Sequence, residues 1–149
     1  DMKGRLILQK RNDDNTIVKE ISVDNAIVLS GRDLVAKQFI NEPINPISHI
    51  AVGTGTTPVD PASDTGLAGE LFRKPVNPVD PTVHLVTTAE NKKKVTITTD
   101  LDFTEANGAL TEAGLFNADT GGIMYNRVVF PPVNKTTDFT LTLIWEIIF

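Results

Sequence analysis

The last eleven residues carry the clearest pattern in the chain, a strict alternation of two kinds of side chain. One face carries Phe139, Leu141, Leu143, Trp145, Ile147 and Phe149, and the other carries Thr140, Thr142, Ile144, Glu146 and Ile148. An alternation of period two is typical of a β-strand. Burial of six such apolar side chains contributes roughly 1.5–3 kcal/mol each as an upper estimate. We therefore predict a long strand over Phe139 to Phe149, in the middle of a sheet.

Further strands are indicated upstream by short apolar or alternating runs that turn residues separate. Leu6 to Leu8 and Thr16 to Val23 flank the turn cluster 12–15 and predict an N-terminal hairpin. The other predicted strands are His49 to Val52, Val95 to Phe103, Leu110 to Asn117 and Ile123 to Phe130. The Asn107-Gly108 dipeptide is a strong hairpin signal between the second and third of these.

One segment shows helical rather than strand-like spacing. Leu34, Val35, Gln38 and Phe39 recur at the spacing of a helix, which predicts one main helix near Ser30 to Asn41. Ser30 or Asn25 is its candidate N-cap, and it ends before Glu42-Pro43, since proline disfavours a helical residue before it.

A second, shorter helix is predicted within a proline-rich stretch. Asp64 is a candidate N-cap for one or two helical turns over Thr65 to Leu71. Five of the nine prolines lie between Pro58 and Pro81, which favours rigid, extended connections.

Together these elements predict a mainly β protein, an antiparallel β-sandwich with one main short helix. The length of 149 residues suits one domain, and we assign residues 1–149 to it. Residues 1–23 form the N-terminal hairpin and residues 24–149 the main body.

Charge and composition exclude several classes of function. The net charge of −5 is unfavourable for nucleic-acid binding, which depends on Lys and Arg at phosphates. The chain has no cysteine, so thiolate metal sites, disulfides and cysteine nucleophiles are excluded. We expect neither a membrane span nor a signal peptide. The basic run Lys92 to Lys94 is interpreted as a solvated hairpin tip, with a phosphate or lipid contact as the alternative.

No histidine or glycine motif predicts a catalytic, cofactor-binding or metal site. His49 and His84 have no ligand partner at metal-binding spacing, and each is expected to be structural in a strand. Gly53 and Gly55 lack the Gly-Lys-Ser/Thr ending of a phosphate loop, and Pro58 stands where its helix would begin. A turn with a close backbone approach is the better interpretation.

The acidic residues leave a few alternatives open. Asp13, Asp14 and Asn15, and separately Asp60 and Asp64, could hold calcium, although ordinary turns explain both clusters and EF-hand spacing is absent.

Two other groups of carboxylates are expected to be structural. Asp100 and Asp102 are expected on the solvent face of their strand, where a pair for glycoside chemistry is the less favoured interpretation. Glu112 lies in an apolar stretch, and a buried charge requires a partner, so we expect an ion pair with Arg73 or Arg127 rather than an acid–base role.

Three segments form a recognisable combination: Ile50 to Pro58 with Asp64 to Leu67 and Glu70 to Arg73, then Glu105 to Gly108 with Glu112 to Phe116, then Leu141 to Ile147. This combination resembles a family of small phage and prophage virion proteins. The resemblance covers roughly Ile47 to Phe149, and 25–41 fits the preceding helix. It implies a tail, baseplate or tail-fibre structural role and no catalytic residues.

The expected function is therefore a non-enzymatic structural component of a phage tail, baseplate or tail fibre, assembled in the host cytoplasm. Its partners would be other tail proteins and copies of itself, with a trimer favoured, and it would need no cofactor. The alternatives are a receptor- or glycan-binding module at a fibre tip and a capsid decoration protein. Beyond the phenylalanines, only Tyr125 and Trp145 are available as aromatic residues for a glycan site.

Overall fold

The computed structural model describes residues 2–149, and these contain ten strands and two helices. The strands are β1 Lys3–Arg11, β2 Ile17–Asp24, β3 Ala26–Ile27, β4 His49–Gly53, β5 Glu70–Pro75, β6 Leu85–Thr87, β7 Lys93–Leu101, β8 Gly108–Phe116, β9 Met124–Lys135 and β10 Thr140–Ile148. The helices are α1 Leu29–Lys37 and α2 Pro81–His84.

Two five-stranded antiparallel sheets make up the fold. The first has the strand order β2-β1-β10-β7-β6, and the second has the order β3-β9-β8-β4-β5. Apolar side chains from both sheets share one core cluster, among them Leu8 and Trp145 from the first sheet and Leu110 and Leu115 from the second. The predicted β-sandwich with one main short helix is therefore confirmed.

Strand β10 occupies the centre of the first sheet, as its alternation predicts. It pairs with β1 on one side and with β7 on the other, and Leu143 and Trp145 are fully buried. The Trp145 Nε1–H donates to Asn25 Oδ1 at 2.9 Å, so the indole has a polar partner. Phe149 is the one predicted core residue of this segment that remains outside the core: it follows the end of β10 and is 46% exposed.

The predicted N-terminal hairpin is present as β1 and β2, and β1 pairs with β10 over its entire length. The hairpin therefore forms one edge of the first sheet. The hairpin predicted around Lys92 to Lys94 is present as β6 and β7, but its tip is residues 88–92. Lys93 and Lys94 already belong to β7, where they pair with Thr87 and Val86.

The Asn107-Gly108 turn does not close a hairpin, and that prediction was wrong. Strands β7 and β8 belong to different sheets, so residues 102–107 carry the chain across the sandwich. The buried Lys135 ammonium holds this crossing by donating to the carbonyl oxygens of Asp102, at 2.8 Å, and Phe103, and to Asn107 Oδ1 at 2.9 Å. The hydrogen-bonded turn lies earlier, where the Glu105 amide donates to the Asp102 carbonyl at 3.0 Å, and Gly108 already begins β8. Turn chemistry also does not determine which strand becomes the neighbour.

Helix α1 differs from its predicted position at both ends. It begins at Leu29 and ends at Lys37, and its N-cap is Val28, which makes no side-chain capping bond. Neither Ser30 nor Asn25 is the cap: Ser30 Oγ donates instead to the Met124 carbonyl at 2.6 Å, and Asn25 accepts from Trp145. Phe39, predicted to lie on the helix, follows its end and is 85% exposed.

Two smaller assignments were also wrong. No helix forms over 65–71, because Asp64 binds Arg127 rather than capping a helix, and β5 begins at Glu70. His84 lies in α2 rather than in a strand, since Asp80 caps this short helix by accepting from the Thr82 amide. The His84 Nδ1 accepts from the Asp80 amide at 2.8 Å.

Candidate functional site

The most polar part of the interior is an ion-pair network on the second sheet. Glu112 on β8 is fully buried, and its Oε1 accepts from Nε–H of Arg127 on β9 at 3.0 Å. The Arg127 guanidinium also donates to Asp64 Oδ2 at 3.0 Å and to the Thr57 carbonyl at 2.8 Å. The network thus joins adjacent strands to the long connection over residues 54–69.

Backbone amides of that connection complete the coordination of the Glu112 carboxylate. Gly55 and Gly69 donate to Oε2 at 2.7 Å each, and Ala68 donates to Oε1 at 2.8 Å. A side chain on Gly55 would collide with the carboxylate, which explains why glycine stands there. The Gly53-x-Gly55 motif is therefore a turn with a close backbone approach, as the sequence indicated.

These bonds fix the charge state of Glu112. Burial by itself raises the pKa of the carboxyl, but the hydrogen bonds from the Ala68 and Gly69 amides and from Arg127 outweigh burial and lower the pKa below its ordinary value of 4.5. Both oxygens are occupied by donors from the chain itself. The arrangement anchors a loop and has no free position for a substrate.

The predicted ion pair of Glu112 is confirmed with Arg127 rather than with Arg73. Arg73 pairs with Glu70 at 2.6 Å and lies over the Phe116 ring, 3.8 Å from its centroid. Its guanidinium also donates to the carbonyls of Ala118 and Gly121, at 3.0 and 2.8 Å. Arg73 therefore fixes the turn between β8 and β9.

The remaining candidate residues lie apart from one another. His49 begins β4 and is half-buried, with its Nδ1 2.8 Å from the Ser48 hydroxyl. Asp14 and Asp60 each accept bonds from their own turns, and these bonds lower the pKa of both carboxyls. Asp100 accepts from Thr142 on the outer face of the first sheet. Across residues 2–149, no group of three or more His, Asp or Glu side chains could hold a metal ion.

Six of the eleven exposed large apolar side chains among the described residues lie at two places on the surface; the others are Ile17, Val18, Leu29, Leu71 and Phe149. Phe39 and Ile40, directly after α1, are 85% and 70% exposed, and we call them the Phe39–Ile40 knob. The second place is the open edge of the first sheet around α2 and β6, with Val79, Val83, Leu85 and Val86.

A groove opens between the β1–β2 hairpin and the end of β9, and we call it the lysine groove. Its volume is about 190 Å³, and Lys10 and Lys19 lie directly opposite one another in it. Leu8, Ile21 and Phe139 supply its apolar lining.

Sequence reasoning missed both the knob and the groove, although each has a signal. Lys10 falls on the same strand face as Leu6 and Leu8, where an apolar residue is expected. Phe39 and Ile40 lie just before the helix-breaking Glu42-Pro43, separated from it by Asn41, so a helix that ends early leaves their side chains exposed.

Neither described helix has the length and apolar character needed to cross a membrane. Comparisons with protein-family models, with curated proteins and with solved structures each return no match to this chain.

Proposed function

We propose that this chain is a non-enzymatic structural component of a phage or prophage tail, baseplate or tail fibre that acts through protein–protein assembly. Two observations support the proposal: three segments resemble small virion proteins, and the sandwich exposes apolar side chains on its surface. Copies of the chain and other tail proteins would be its partners, with a trimer as the expected homo-oligomer.

The observation that carries the assembly role is the distribution of exposed apolar side chains. Phe39 and Ile40 lie together after α1, and Val83, Leu85 and Val86 lie at an open sheet edge. Contiguous apolar surface and unpaired edges are features that protein interfaces cover. The buried polar groups around Glu112 are meanwhile engaged by the chain's own loop.

The burial of the tryptophan and the tyrosine weighs against a glycan-binding module. Trp145 is fully buried and Tyr125 is 2% exposed. Burial raises the pKa of the Tyr125 hydroxyl to about 12. Neither ring offers a stacking surface to a sugar.

The test is to locate the chain in particles of the phage or prophage that encodes it. Particles are purified on a density gradient, peptides are identified by mass spectrometry, and antibody-linked gold is imaged on intact virions. We expect the chain in the particle fraction and gold on the tail. Gold on the capsid would favour a decoration protein, and a chain present only outside particles would refute a virion role.

A matched deletion makes the result specific. Particles from a strain that lacks the coding sequence should lose the gold signal and show absent or incomplete tails. Complete, infectious tails in that strain would show that the chain is not a required structural component.

A further inference from the structure

The lysine groove contains an unusual pair of charges. Lys10 on β1 and Lys19 on β2 are register partners, so like charges face each other directly across the hairpin, which is unfavourable by itself. The Lys10 ammonium lies 4.3 Å from the centroid of the Phe139 ring, and across residues 2–149 neither lysine forms an ion pair. The groove therefore combines apolar walls with positive charge that no carboxylate among the described residues neutralises.

The dimensions of the groove favour a protein side chain as its occupant. Pockets for small organic ligands are usually about 300–1,000 Å³, whereas this groove measures about 190 Å³. An occupant of matching chemistry would present one or two apolar side chains followed closely by a carboxylate.

The chain itself exposes such a segment. Phe39 and Ile40 are the two most exposed large apolar residues among those described, and the exposed Glu42 follows them closely. Glu42 forms no ion pair within 4.0 Å among residues 2–149; Lys37, the nearest cation to act on it, interacts with it only at longer range and is itself paired with Asp33. The apolar knob thus has the negative charge of Glu42 close beside it. The groove likewise has apolar walls with two positive charges beside them.

The knob does not fill the groove of its own chain. Phe39 and Ile40 are 85% and 70% exposed, and neither residue lines the groove. The groove lies at the β1–β2 hairpin and at Pro132 on β9, whereas α1 is attached through Ser30 to the opposite end of β9, at Met124.

We propose that copies of this chain associate head to tail, with the Phe39–Ile40 knob of one copy in the lysine groove of the next and with Glu42 between Lys10 and Lys19. The proposal rests on the assembly role proposed above and specifies its contact. Since the two surfaces differ, the interface is heterologous, and it closes into a ring or continues as a filament.

The test uses one variant for each side of the contact. Phe39→Ser with Ile40→Ser removes the knob, and Lys19→Glu reverses a charge in the groove; all three positions are exposed, so folding should be preserved. Sedimentation equilibrium of the parent should show an oligomer of the 16.2 kDa chain. Each variant alone should be monomeric at concentrations where the parent assembles, because its dissociation constant rises at least about tenfold.

Mixing the two variants distinguishes this interface from others. The intact knob of the groove variant can enter the intact groove of the knob variant, so the mixture should form a one-to-one dimer and nothing larger. Lys19→Arg and Lys3→Glu, the second at the far end of β1, should both assemble like the parent.

Three results would overturn the proposal: a parent that stays monomeric up to its solubility limit, variants that assemble normally, or a mixture that stays monomeric. The proposed function has a separate readout. A monomeric chain found on virion tails would refute only the head-to-tail contact, whereas an assembling chain absent from particles would refute only the virion role.

Discussion

Replacing Glu112 with Gln tests whether the buried carboxylate holds the 54–69 connection in place. The carboxylate accepts four hydrogen bonds, from the amides of Gly55, Ala68 and Gly69 and from Arg127. A carboxamide of the same shape has one oxygen, and its NH2 group would point at two donors that then have no acceptor. An unsatisfied buried donor costs about 1–3 kcal/mol, and loss of one member of a buried ion pair about 3–5 kcal/mol. We expect the free energy of unfolding to fall by about 3–5 kcal/mol.

The measurement is urea unfolding at pH 7, followed by the fluorescence of Trp145, the only tryptophan. Glu20→Gln is the control, because the exposed Glu20 accepts a single bond from Gln9 and should change stability by less than about 1 kcal/mol. A loss below about 1 kcal/mol for Glu112→Gln would refute the assignment of Glu112 as the anchor.

The free energy of unfolding should depend on pH differently in the parent protein and in the Glu112→Gln variant. The pKa of Glu112 is lowered in the folded state, so its ionised form stabilises the fold at pH values above the ordinary pKa of 4.5. That contribution is lost as the pH falls through the lowered folded-state value. The stability difference between parent and Glu112→Gln should therefore be constant above about pH 5 and shrink at lower pH; a difference that grew on acidification would contradict the sign.

Three further outcomes are expected. Trp145→Ala should lower the free energy of unfolding by about 3–5 kcal/mol in calorimetry, because it leaves a cavity at the centre of β10 and frees Asn25; an unchanged stability would mean that the indole is not a core residue. Gly55→Ala should cost about 1–3 kcal/mol in the same assay, since the added Cβ meets Glu112 and lies 2.5 Å from Ala68 Cβ, while Gly66→Ala, with open space around it, should be near neutral. Chelator should leave the melting temperature unchanged, and a decrease of more than about 4 °C would point to a calcium site in an acidic turn.

Strands could be predicted where the residue pattern of one segment is sufficient to identify it. The alternation around Trp145 identifies β10 and its buried face without information from the rest of the chain. The partner of Glu112 could also be predicted from the sequence. A charge in an apolar strand needs a compensating cation, and Arg73 and Arg127 were the two candidates.

The errors arose where a distant contact determined the local structure. Asn107-Gly108 is compatible with a hairpin, and the bonds from Lys135 instead hold it as a crossing between sheets. Asp64 could cap a helix, yet its carboxylate is bonded to Arg127 instead. Phe39 fits the helical pattern, but nothing beyond α1 packs on it. These contacts exist only in the folded second sheet, so the local sequence pattern does not reveal them.

The central position of β10 also governs the order in which the protein can acquire its structure during synthesis. Arg5 and Glu146 are neighbours on β1 and β10 although 141 positions separate them along the chain. Until β10 leaves the ribosome, β1 and β7 have no strand between them, and the apolar faces of the hairpin and of β7 remain open. Closing so long a loop is slow, and the exposed strand edges can pair wrongly in the meantime. During this interval a chaperone, or a neighbouring copy on the same polysome, can bind the exposed strands before β10 pairs with β1 and β7.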